Sequence, residues 1–122
     1  MKIYLAGPMR GLPMFNFPAF HEAAARLRAQ GHEVFSPAEK DAEAGQDGTK
    51  PALTIAHYMA IDLPEVCRAD AIVVLPGFEK SQGCMIELAV ATEIGKQVLD
   101  SETLLAVDHP FRILNTWEWE CR

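Results

Sequence analysis

The chain is short of basic residues. Lys and Arg number 11 against 17 Asp and Glu, for a formal net charge of −6, and a nucleic-acid backbone repels an acidic surface with no basic stripe. Polymeric DNA or RNA is therefore not an expected partner, whereas a small anion in a local pocket is still allowed. Long apolar runs are also missing. None approaches the ~20 residues that cross a bilayer, and Met1-Lys2-Ile3-Tyr4-Leu5-Ala6-Gly7 turns polar too early for a signal peptide, so no membrane association is expected. Cysteine is scarce: Cys67, Cys84 and Cys121 are odd in number, far apart and form no Cys-x-x-Cys pair. That speaks for reduced thiols in a cytoplasm and against a disulfide framework or structural zinc. His21, His32, His57 and His109 lack ligand spacing, so neither metal nor cofactor is expected. A Walker loop is absent, and no Gly-x-Gly-x-x-Gly follows the first apolar run, which disfavours a P-loop or a dinucleotide site.

What is present suits one globular domain spanning residues 1–122. Hydrophobic residues make up 49% and charged residues 23%, and a chain of this size buries enough surface for a single core. Ile3-Tyr4-Leu5-Ala6, ended by Gly7-Pro8, reads as a buried strand. Asn16 and Pro18 offer a cap and first turn for a helix whose apolar stripe is Ala19, Phe20, Ala23, Ala24 and Leu27, stopped by Gly31. Glu33 to Ser36 reads as a second strand. Residues from Ala38 to Leu53 are polar and turn-rich and read as a long loop, either functional or a tolerated surface insertion. A helix beginning near Ile55, Tyr58 and Met59 is perturbed by Pro64. Ala71 to Leu75 is the clearest strand, Gly83 to Ile94 a third helix, and Gln97-Val98-Leu99 and Leu104 to Val107 two further short strands. Strands alternating with helices predict a small α/β, Rossmann-like (flavodoxin-like) doubly wound parallel sheet of about five strands. Ligands of such sheets bind beyond the carboxyl ends of the strands, which nominates Gly7 to Gly11 and Pro76 to Gly83.

Those segments hold the unusual chemistry. Glu87 is the only charged residue from Cys84 to Ala91, and its neighbours three and four positions away are Gly83, Cys84, Val90 and Ala91. A carboxylate on an apolar stripe is costly to bury and is a candidate for a shifted pKa and a chemical task; the alternative is a Glu that reaches solvent past small neighbours. Ser81-Gln82-Gly83 precedes this helix, where free N–H groups and the dipole favour an anion, although Ser81 also suits a simple cap. Asp62 and Tyr58, four apart, share a helix face. Asp62-Leu63-Pro64-Glu65 equally matches a capping box after a kink. Arg10 is a cation at the nominated edge, suited to bidentate anion binding or to plain solvation. Asp70 reads as a turn residue, and Trp117 and Trp119 as part of either an interface or the core.

Taken together, Ile3 to Pro8, Tyr58 to Asp62, Ala69 to Val74 and Ser81 to Ala91 resemble the nucleoside 2-deoxyribosyltransferase superfamily, which includes the deoxynucleoside 5′-monophosphate N-glycosidases. The likeness runs from Lys2 to about Leu99. It implies a compact Rossmann-like sheet in a homo-oligomer whose neighbouring subunits help to close the site. It also implies an enzyme that cleaves the N-glycosidic bond of a nucleoside or, preferably, its 5′-monophosphate, passing the sugar to water or to another base. Glu87 matches the family nucleophile within Gly83 to Leu88, Tyr4 an aromatic hydroxyl beside it, and Asp62 an acid that orients sugar or base. Ser81 and Gly83 fall six and four residues before the nucleophile, as in the monophosphate glycosidases, and Arg10-Gly11 matches their Arg-Gly after the first strand. Gly7, Pro8, Met9 and Tyr58 complete the implied substrate contacts. Pro8 departs from the small polar residue of some members, Ala89 from a frequent Gly, and Ala38 to Leu53 has no counterpart. A non-catalytic nucleotide-binding module on the same fold is the alternative.

Overall fold

The computed structural model describes residues 1–45 and 54–111. Four strands, β1 (Lys2–Ala6), β2 (Glu33–Phe35), β3 (Ala71–Val74) and β4 (Gln97–Asp100), form one parallel sheet in the order β2-β1-β3-β4. The intervening helices are α1 (Phe17–Ala29), α2 (Pro37–Glu43), α3 (Ile55–Arg68) and α4 (Gln82–Glu93). The chain is thus an α/β protein with a Rossmann-like sheet covered on both faces. Because successive strand side chains point to opposite faces, β1 and β3 feed two separate cores. Ile3, Leu5, Ala71, Val73 and Leu75 pack with Phe20, Ala24 and Leu27 of α1. Tyr4, Ala6, Ile72 and Val74 pack with Val66 of α3 and with Cys84, Leu88 and Ala91 of α4. This double burial explains why both strands read as continuous apolar runs.

Several expectations from the sequence need correction. Leu104 to Val107 does not add a fifth strand. The Asp100 carboxylate accepts from the backbone N–H groups of Glu102 and Thr103 at 2.8 and 3.0 Å, reversing the chain so that Ala106 makes only an isolated antiparallel bridge to Leu99. The stretch from Ala38 is not all loop: α2 begins at Pro37, whose fixed φ suits a first helical turn. Arg28 holds α2 against α1 through two 2.6 Å hydrogen bonds to Glu39. Residues 46–53 of that stretch lie outside the described residues, as do Trp117, Trp119 and Cys121. Asn16 does not cap α1 through its side chain. It sits in the left-handed region at φ 60°, and its amide donates to the Pro8 carbonyl at 3.0 Å, tying the loop after β1 to the helix start. Pro64 lies within a continuous α3, so Asp62 does not begin a new helical segment; Thr54 is the cap, accepting from His57 N–H.

Candidate active site

The strand order reverses direction of growth between β1 and β3, and the crevice beyond their carboxyl ends is where open α/β sheets hold ligands. A cleft of about 250 Å³ occupies that position. Its walls come from the loop after β1, from α2 and α3, and from the start of α4.

Glu87 reaches the cleft because it belongs to the inward stripe of α4, at helical spacing with Cys84, Leu88 and Ala91. It is only 7% exposed, and the hydroxyl of Tyr4, fully buried on β1, donates a hydrogen bond to Glu87 Oε2. The Tyr4 ring is held in turn by stacking on Phe35, with centroids 5.6 Å apart. Burial, reinforced by the charge of Glu87, pushes the Tyr4 phenol well above its usual pKa, so it stays a donor. Burial raises the Glu87 carboxyl to about 8; the Tyr4 hydrogen bond opposes that shift and the charge of Asp62 adds to it.

Asp62, 6% exposed, projects from α3 into the same cleft. Its Oδ1 has no hydrogen-bond partner among the described residues. Burial, followed by the charges of Asp41 and Glu65, lifts its pKa to about 7. Two carboxyls with coupled titrations near neutrality retain a proton between them, an arrangement suited to acid and base work.

Of the residues nominated from the sequence, Gly7, Pro8, Met9, Arg10, Tyr58, Asp62, Ser81, Gly83 and Glu87 line the cleft. Tyr4 is not among the lining residues and meets the site through its hydrogen bond to Glu87. Gly11 is exposed, at φ +79°, and is not among the lining residues. Ser81 caps α4, its Oγ accepting from Cys84 N–H at 3.2 Å. That bond uses a lone pair and leaves the hydroxyl proton available to a ligand. The Arg10 guanidinium lies 6.0 Å from the centroid of the Tyr58 ring, a cation–π approach at the rim. Gly7 has a packing reason to be glycine: a Cβ there would come within 2.8 Å of Leu75 Cβ. Gly83 has none of that kind, since its Cβ would meet only Met59 Cε at 3.6 Å.

Sequence reasoning missed Asp41 and covered Lys80 only as part of the nominated segment from Pro76 to Gly83; both line the cleft. Asp41 was hidden by its polar surroundings; the available signal was Ser36-Pro37, a helix-start pattern that would have placed it one turn inside α2. Lys80 directly precedes Ser81 and was readable as part of the same anion-friendly edge. Among the described residues, no three His, Cys, Asp or Glu side chains converge to hold a metal ion. No described helix is long and apolar enough to cross a membrane.

Structural comparison gives a 2-deoxyribosyltransferase from the psychrotolerant bacterium Bacillus psychrosaccharolyticus as a similar protein. The two share 26% sequence identity and superpose with a TM-score of 0.60, covering 82% of this chain and 71% of that one. No curated protein matches the chain. A family model described as a domain of unknown function, DUF4406, matches residues 1–100. With the greater part of its length accounted for in this way, the chain belongs to that DUF4406 family.

Proposed function

We propose that this protein cleaves the N-glycosidic bond of a deoxynucleoside, preferably as its 5′-monophosphate, with Glu87 as nucleophile. The observation that carries the reading is the buried Tyr4–Glu87 hydrogen bond at the crevice of the sheet, in a cleft also lined by Asp62, whose buried Oδ1 has no hydrogen-bond partner among the described residues; the likeness to a 2-deoxyribosyltransferase supports it. As the C1′–N bond breaks, its electron pair goes to the base, and positive charge builds on the sugar as in glycoside hydrolysis. The Glu87 oxygen not engaged by Tyr4 bonds to C1′, while Asp62 gives its proton to the departing base. Water, or an N–H nitrogen of a second base, then attacks C1′; the bond from C1′ to Glu87 breaks with its electron pair returning to the carboxylate, and the ionised Asp62 takes the proton that the attacking group gives up. Ser81, the N-terminus of α4 and Arg10 would hold the 5′-phosphate, so that remote binding energy fixes C1′ over the carboxylate. The reading extends to a homo-oligomer, with the exposed Ile86 of α4 and Ile94 at its C-cap as candidate contacts.

The test is chromatography of deoxynucleosides and their monophosphates incubated with the protein, with and without an acceptor base. Base release is expected from the wild type and is expected to fall at least about 10³-fold in Glu87→Gln. A folded Glu87→Gln protein with undiminished turnover would overturn the assignment. One feature favours the alternative of a non-catalytic nucleotide-binding module: burial raises the Glu87 carboxyl to about 8, which keeps it largely protonated at neutral pH. Saturable nucleotide binding with no base released on prolonged incubation would select that reading.

A further inference from the structure

The cleft contains a third carboxylate that the proposed chemistry does not use. Asp41 is 8% exposed and lines the cleft from α2, the helix that follows β2. β2 lies on the side of β1 away from β3, and α4 follows β3, so α2 and the start of α4 follow strands on opposite sides of β1. Asp62 of α3 lines the cleft together with both, and the charge of Asp41 adds to the rise in its pKa. The bidentate Arg28–Glu39 contact braces α2 against α1, so Asp41 rides on a held element. Asp62 Oδ1 is buried and without a hydrogen-bond partner among the described residues, a polar group beside the cleft that a ligand with hydrogen-bonding groups would satisfy.

In a nucleoside 5′-monophosphate the phosphate and the base lie at opposite ends of the sugar. With phosphate at Ser81 and C1′ at Glu87, the base extends toward Asp41. We propose that Asp41 reads the base, accepting hydrogen bonds from an amino group and so selecting adenine, guanine or cytosine over thymine. A carboxylate offers acceptors only. The amino-bearing bases present N–H donors to it, whereas thymine offers one N–H flanked by two carbonyl oxygens that the carboxylate repels. Acidic side chains pair with the cytosine amino group for the same reason in DNA recognition. This inference rests on the glycosidase reading of the site and adds the substrate class to it.

The experiment compares the four common deoxynucleoside monophosphates in wild type and in Asp41→Asn, whose amide nearly preserves volume. Initial rates of base release are measured beside equilibrium binding of the same four nucleotides to Glu87→Gln and to the Glu87→Gln, Asp41→Asn double variant. The wild type is expected to favour amino-bearing bases over thymine by about 10- to 100-fold. In Asp41→Asn that ratio should fall by a similar factor in both rate and binding, on top of any change common to all four rates that follows from removing a charge that helps to keep Asp62 protonated. An unchanged ratio in both rate and binding, whether or not the four rates fall together, would overturn the role of Asp41. Absence of base release from the wild type, with the binding preference and its dependence on Asp41 intact, would overturn the glycosidase reading instead.

Discussion

At the scale of single residues, the proposed chemistry depends on which of two buried acids is protonated. The proposed cleavage needs Glu87 ionised and Asp62 protonated, yet burial sets Glu87 near 8 and Asp62 near 7. The productive arrangement is therefore the minor one of the singly protonated forms, and the pH–rate profile should be bell-shaped with its maximum between the two apparent values. Tyr4 favours that arrangement, because its hydrogen bond is the one influence lowering the Glu87 pKa. Tyr4→Phe should reduce kcat and move the upper limb of the bell to higher pH, measured by initial rates across pH 5–10. An unchanged profile would remove Tyr4 from the mechanism. Glu87 was legible in the sequence because it interrupts an apolar helical stripe. Asp62 was legible only as a residue with two roles, since a capping box and a buried acid share the same four letters until the helix is seen to run through Pro64.

At the scale of elements, the loop after β1 and the start of α4 contribute different kinds of glycine. Gly7 meets protein, with Leu75 Cβ 2.8 Å from the place a Cβ would take, whereas Gly83 borders the cleft and has only Met59 nearby. Gly7→Ala should destabilise the fold by about 1–3 kcal/mol, the range for forcing a carbon into a packed site. Gly83→Ala should leave the melting temperature nearly unchanged and raise KM for monophosphates more than for free nucleosides. Thermal melts and steady-state kinetics on both variants separate the two roles; equal destabilisation would refute the distinction. Most elements could be read in advance because β1 and β3 are continuous apolar runs bounded by turn residues, α1 carries an apolar stripe stopped by Gly31, and α4 is an apolar segment closed by Gly95. The misread elements were those where a local side-chain bond overrides pattern, as Asp100 does for the segment after β4, or where one proline starts a short helix inside a polar stretch, as Pro37 does.

For the whole molecule, the acids that serve the site weaken the fold at alkaline pH. Glu87 and Asp62 bind protons more tightly in the folded protein than in the unfolded chain, where carboxyls titrate near 4. Their contribution to stability is therefore complete below about pH 4 and is lost as pH rises through about 7 to 8. The opposite behaviour of Glu39 and Asp100, whose pKa values are lowered by Arg28 and by backbone N–H groups, operates only at the acid end. The melting temperature should fall between pH 5 and pH 9, and the fall should be shallower in Glu87→Gln. A variant that tracks the wild type across that interval would show that the carboxyl is not shielded from water as described. The alternation along β1 carries one more consequence. Tyr4 faces α4 only because it is an even step between Ile3 and Leu5, which face α1. Adding or deleting one residue just ahead of Tyr4 would still hand each face a greasy side chain, and the sheet could assemble; the phenol, however, would emerge on the wrong side of the molecule. Turnover would thus act as a parity check on the opening strand, failing where folding does not.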